Sequence, residues 1–314
     1  MERGSGLPVR AVGGRPLIDV LAIGNLVWET TALVPALPGE GEPLPDLAGA
    51  LAGALAGARA LVRDGGGSAA NTLVAASRLG LRCAFVGVAG DDAQGEAAEA
   101  SLRAAGVSVS VRRVPGRRTK RNTVLVEAGT ARTAFLTEVP GLAAPPVQPE
   151  DVPADLLRSA RVLHLDRVSR TGLALALARA AAGRGLANTL DLHTFPFRSE
   201  ARVRLASLLP ALAVAQASEA ASQAFPAGHP VPWTVVTRGA AGATARAAGG
   251  EPFAVPPEPV AVLDPTGAGD AFAAGLVQGF LAGARLEDAC RIAARLGAVA
   301  CAALGARGAW KPGA

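Results

Sequence analysis

Val262-Leu-Asp-Pro-Thr-Gly-Ala-Gly-Asp-Ala-Phe-Ala-Ala-Gly275 runs from an apolar strand end into Asp264, turns over Thr266-Gly267-Ala268-Gly269, and opens a helix of small residues at about Asp270. Glycines let successive backbone N–H groups point into one concavity, and the following helix adds its positive end. Such a loop holds an anion without a lysine. Asp270 lies in the first helical turn, where the dipole favours its ionised form. A carboxylate beside an anion cradle repels the ligand it would merely bind. Its useful role is to take a proton from a hydroxyl that attacks phosphorus.

Outward from this loop, apolar β-like runs alternate with Ala/Leu-rich helical stretches. Ile18–Ile23, ended by Gly24, reads as the first strand; 82–88, 162–165, 187–192, 212–215 and 234–237 read as others. Helical segments are expected at 70–79, 172–182 and 200–208, and the helix from Asp270 as the last strong one. Strands apolar throughout and separated by helices indicate a mostly parallel sheet covered on both faces. The fold class is α/β, a three-layer α/β/α sandwich in a single domain over 1–314. Residues 25–50 and 108–140 break the rhythm with Pro, Gly and β-branched patterns, as in Asn122-Thr-Val-Leu-Val-Glu127, and are read as a small β-rich lid. Residues 47–61 place Leu47, Leu51 and Leu55 at helical spacing, but the alanine-rich composition favours a spacer. Residues 1–16 are read as a flexible tail.

Composition removes whole classes. The chain has 314 residues, half of them apolar, enough for a large core. Lys120 and Lys311 are its two lysines, and it has three His and three Cys without the spacing of zinc or disulfide sites. A P-loop lysine is absent. The net charge of +5 comes from 31 basic and 26 acidic residues, yet six of the basic ones lie between Arg112 and Arg121. The rest nearly cancels, and the run lacks interleaved aromatics, so nucleic acid is not the expected partner. The run reads as a solvated loop ahead of a grip on an anionic substrate. No secretory signal is visible, and the apolar stretch 271–284 is too short to span a bilayer, so a cytoplasmic location without membrane attachment is expected.

The Asp264–Gly275 segment resembles the C-terminal signature of the ribokinase-like (PfkB) carbohydrate kinase family. Gly66-Gly67-Ser68-Ala69-Ala70-Asn71 is similar to the family's N-terminal signature, Val86-Gly-Val-Ala-Gly-Asp-Asp92 to its second turn, and Val236–Gly242 to its nucleotide-side strand. These matches fall in the family's order over about residues 18–308. The resemblance implies an ATP-dependent sugar kinase with Mg²⁺. Asp270 is then the base, and the amides of Gly267, Ala268 and Gly269 form the anion hole. Glu29, Gly66, Gly67 and Asn71 would contact sugar hydroxyls, and Thr237, Gly239 and Gly242 would face ATP. Gln216 and Glu219 would organise nucleotide and Mg²⁺ through water, and Asp264 and Thr266, with carbonyls near Gly305, correspond to the place where many relatives hold a monovalent cation such as K⁺. Lids of relatives often pair edge strands, which implies a homodimer.

Three positions depart from the family pattern. Glu29 stands where an Asp is usual, Gln216 replaces the Asn of Asn-x-x-Glu, and Asp191–Arg198 differs around His193. A nucleoside acceptor is the alternative within the fold; three Trp, eight Phe and no Tyr argue against stacking a base. The substitutions at 29 and 216 motivate a sensor that binds without turnover, which the intact Asp270 loop disfavours. A dinucleotide oxidoreductase lacks its glycine fingerprint.

Overall fold

The structure, a computed structural model, describes residues 18–37, 47–137, 143–166, 187–192, 205–206, 208–226 and 228–311. The expected tail at 1–16, the helix at 172–182, His193 and most of 200–208 lie outside them.

Nine strands form the main sheet in the order β13-β12-β11-β10-β9-β8-β1-β4-β5. These are β1 (Ile18–Asn25), β4 (Cys83–Gly90), β5 (Ser108–Val114), β8 (Ala160–Leu165), β9 (Ala187–Leu192), β10 (Val214–Ser218), β11 (Trp233–Thr237), β12 (Ala243–Ala247) and β13 (Phe253–Val255). All neighbours from β11 to β5 pair in parallel, and β12 and β13 add an antiparallel edge. The alternation within β1 explains the layering. Val20 and Ala22 pack with helix α2 (Ser68–Arg78) and α6 (Ala268–Leu281), whereas Leu21 and Ile23 pack on the opposite face with Leu157 of α4 (Ala154–Ser159) and with Leu205, Leu208 and Leu209. A strand buried on both sides has no polar face, which is why these runs are apolar throughout. Helix α3 (Ala93–Ala104) follows β4, the short α5 (Glu219–Ser222) follows β10, and α7 (Leu286–Cys301) packs with α6, so the helix from Asp270 is not the last strong one.

A second sheet, in the order β3-β2-β6-β7, is the lid: β2 (Val27–Val34), β3 (Ala60–Gly66), β6 (Lys120–Glu127) and β7 (Thr133–Thr137). Its boundaries differ from the expectation in two places. Residues 108–114 are β5, which pairs with β4 from Ala84 to Gly90 and belongs to the main sheet. Residues 60–66, beyond the expected limit at 50, pair with Val27–Leu33 and carry the lid back to the core. Residues 47–56 form helix α1 (Leu47–Ala56) and not a spacer, because Leu51, Ala54 and Leu55 cover Ala32, Val34 and Leu125 of the lid. The expected strand end before Asp264 is also absent: Val262 and Leu263 are exposed, and the Leu263 and Asp264 N–H groups donate to the Cys301 carbonyl at 2.8 and 3.2 Å. No described helix is long and apolar enough to cross a membrane.

Candidate active site

The strands are added outward from β1 to β4 and β5 on one side and from β8 onward on the other, so the winding order switches between β1 and β8, and ligands of open α/β sheets bind beyond the carboxyl ends of the strands at such a point. The N-termini of α2 and α6 and the lid strand β2 meet above this end. Asp270, in the first turn of α6, is 5% exposed. Its Oδ1 accepts from Ser68 Oγ at 2.5 Å and its Oδ2 from Asn71 Nδ2 at 2.9 Å, both from the first turn of α2. Two helix starts therefore share one carboxylate.

Gly267 caps α6 with φ +81°, a left-handed conformation, and a Cβ there would lie 2.8 Å from the Ala306 Cα and carbonyl oxygen. Only glycine satisfies both demands. Behind the loop, Gln216 Nε2 donates to the Gly269 carbonyl at 2.9 Å, while its buried Oε1 finds no partner among the described residues. Ala268 N–H donates to the Pro265 carbonyl at 3.2 Å, so it is already committed within the turn. Ala271 N–H donates back to the Gly267 carbonyl at 2.9 Å, and the Gly269 N–H, two residues before it, has no i−4 acceptor within the helix. This loop fits an anion.

Across from Asp270, Glu29 of β2 is buried. Burial pushes its carboxyl up to about 7; the Asp270 and Asp264 charges add to this, and Arg307 and a hydrogen bond from Asn122 oppose it. Gly66 ends β3 and Gly67 caps α2, placing Asn71 one turn into the helix. Asp264 is fully buried, with Oδ1 accepting from Thr266 N–H at 2.8 Å and Oδ2 from Gly305 N–H at 2.7 Å. Thr266 Oγ1 is buried without a hydrogen-bond partner among the described residues. On the β11 side, Thr237 Oγ1 donates to the Ala217 carbonyl at 3.3 Å, and Gly239 and Gly242 shape the turn into β12. Glu219, at the start of α5, is exposed and holds Arg238 Nε at 3.0 Å. Among the described residues no cluster of three His, Cys, Asp or Glu could ligate a metal directly.

Sequence reading missed three residues here. Ser68 lay inside the quoted signature without a role. Arg307 is 3% exposed and joins Asn71, Ser101 and Gly66 from the C-terminal end of the chain. Asp64 lines the same small cavity as Glu29, Thr31, Gly305 and Arg307, and takes Lys311 Nζ at 3.1 Å. The basic run, in contrast, is largely spent on local partners. Arg112 pairs with Asp151, Arg113 with Glu99, and Arg121 with Gln94 at 3.0 Å and Asp92 at 3.6 Å.

A family model described as pfkB family carbohydrate kinase matches residues 46–312. The chain belongs to this family. It is therefore a carbohydrate kinase, an ATP-using phosphotransferase with an alcohol group as acceptor. Relatives agree with this. The chain is 29% identical over 311 residues to an ATP-dependent ribose-1-phosphate kinase of Halopiger xanaduensis, covering 93% of this chain and 95% of the relative. It is 35% identical over 105 residues to a probable fructokinase of Arabidopsis thaliana, covering 33% of this chain and 32% of the relative. In fold it is similar to a putative ribokinase from Agrobacterium tumefaciens, with TM-score 0.73 and 23% identity over 93% of this chain and 94% of that one. An adenosine kinase from Sinorhizobium meliloti superposes with TM-score 0.72 at 22% identity, over 91% and 94% of the two chains.

Proposed function

We propose that this kinase transfers the γ-phosphoryl group of ATP to a hydroxyl of a small sugar, a primary hydroxyl by preference, with Asp270 as the proton acceptor. The observation that carries the reading is the double anchoring of Asp270 by Ser68 and Asn71 beside the Gly267–Gly269 loop. A carboxylate held at both oxygens keeps one geometry, and phosphoryl transfer with a loose transition state depends more on position than on base strength. Asn71 retains one N–H and one lone pair for the sugar, and Glu29, buried and easily protonated, can donate to or accept from a hydroxyl.

ATP supplies the phosphoryl group and Mg²⁺ offsets its charge. The Gly267 and Gly269 amides would receive the γ-phosphate, with Thr237, Gly239 and Gly242 on the nucleotide side. Glu219 would reach the ion only through water, as suits a Mg²⁺ that keeps most of its hydration shell. Oxygens of Asp264, Thr266 and the loop at Gly305 offer the chemistry for K⁺. A cytoplasmic location and a homodimer joined through the lid complete the proposal.

A sugar phosphate is the second reading of the acceptor, favoured by the similarity to a ribose-1-phosphate kinase along most of both chains. The small cavity beneath the lid carries Glu29 and Asp64 against one Arg307, so a phosphate on the acceptor would sit away from it. A screen with ribose, fructose, 2-keto-3-deoxygluconate, ribose 1-phosphate and adenosine, read by coupled ADP release, tests both. Turnover with a sugar or sugar phosphate is expected. Turnover with adenosine alone would overturn the sugar reading, and binding of a sugar without ADP release would leave a sensor.

A further inference from the structure

Arg307 follows α7 in sequence but lies buried beside Asn71, lining a small cavity with Glu29 and Asp64, where its guanidinium forks three ways. Nε donates to Asn71 Oδ1 at 2.9 Å, Nη1 to Ser101 Oγ at 3.1 Å and Nη2 to the Gly66 carbonyl at 3.3 Å. A guanidinium has donors only. The Asn71 atom that faces it must be the amide oxygen, and this turns Nδ2 towards Asp270 Oδ2, 2.9 Å away. Were the amide rotated by half a turn, an oxygen would face the carboxylate and the contact would become repulsive. Helix geometry alone does not select between the two orientations. Arg307 does.

We propose that Arg307 is a positioning residue for phosphoryl transfer: it locks the Asn71 amide in the orientation that anchors Asp270, and so fixes the carboxylate against the attacking hydroxyl. The inference rests on the role of Asp270 given above. Three features make the fork suited to this task. It is almost fully buried, so solvent does not compete for its donors. It ties the end of β3 to α3 and α2 at once, so the geometry is set by three elements. It also stands among Glu29, Asp64 and Asp270, whose charges keep the guanidinium protonated despite its burial. A lysine would keep the charge, but its flexible ammonium cannot reproduce the planar fork.

The test uses the full chain, with the acceptor found in the screen held saturating, ATP varied, and coupled ADP release. Arg307→Lys, Asn71→Ala and the double variant are compared with wild type for kcat, the KM for ATP and the thermal midpoint. Arg307→Lys is expected to lower kcat by about 10- to 100-fold while the KM for ATP stays within about twofold, and the double variant is expected to be no worse than about threefold below the poorer single variant. A kcat for Arg307→Lys within twofold of wild type, or losses that multiply in the double variant, would overturn the proposal. A lowered midpoint with normal kcat would do the same, since that is what a purely structural role gives. Ser101→Ala serves where Arg307→Lys does not fold. It removes one prong of the fork and is expected to lower kcat about two- to fivefold at unchanged KM for ATP, and an unaltered kcat counts against the proposal. Failure of the underlying reading shows separately, as retained turnover in Asp270→Asn.

Discussion

Gly267 and Ala306 stand so close that a single added methyl group at position 267 would lie 2.8 Å from the Ala306 Cα. The contact joins the Gly267 turn to the segment that carries Arg307, so the loop and the residues that hold Asn71 are fitted to one another. Gly267→Ala meets both this clash and the left-handed φ of +81°. We expect a loss of at least about 2 kcal/mol in stability, measured by urea unfolding, together with a fall in kcat of more than about tenfold. Equal stability and activity in the variant would mean that the turn has room to relax.

Gln216 reaches the same loop from β10. By holding the Gly269 carbonyl it also fixes the following peptide plane, and with it the Asp270 N–H. Gln216→Leu keeps the volume and removes the donor. We expect kcat to fall by about tenfold with stability within about 1 kcal/mol of wild type, because the partnerless Oε1 is removed together with the hydrogen bond. Steady-state kinetics and a thermal melt on the same preparation check this.

Glu29 gives the lid a pH dependence of defined sign. Its carboxyl is raised by burial from an ordinary 4.5 to about 7, so between those values the folded chain binds more protons than the unfolded chain. Stability from this group is therefore lost as pH rises through that window. Glu29→Gln removes the titration, and its stability relative to wild type is expected to grow from pH 5 to pH 8 by about 1–3 kcal/mol. Parallel stability curves would refute it.

Asp19 works in the opposite sense, at the end of β1 away from the site. Burial raises its carboxyl, but hydrogen bonds from the Arg82 side chain and backbone, and from Arg161, outweigh this and hold it at about 2, below its ordinary 3.8. Its contribution is present above that ordinary value and is lost as pH falls towards 2. Asp19→Asn is expected to cost about 1–2 kcal/mol at neutral pH, to leave kcat unchanged, and to differ less from wild type as acid is added.

Much of this was legible in the sequence, for a physical reason. The anion loop, the α2 start and the apolar strands are local signals: each is written in contiguous residues whose backbone demands are visible without a partner. The lid boundaries were not, because Ser108–Val114 and Lys120–Glu127 carry the same β-branched pattern while only tertiary pairing sends one to β4 and the other to β2. Helix α1 was hidden by alanine, which marks neither face. Arg307 was hidden by distance, since it meets Asn71 from 236 positions away and no pattern near either residue announces the contact. Ser68 was in plain view, but its role depends on where Asp270 comes to rest.

The account stands on Asp270 as the proton acceptor, and Asp270→Asn tests this most directly. The substitution preserves shape and leaves Ser68 and Asn71 able to hydrogen-bond. With the accepted sugar and saturating ATP, we expect ADP release to fall by at least about 100- to 1,000-fold, while the thermal midpoint shifts by no more than a few degrees. Turnover within about threefold of wild type would contradict the account.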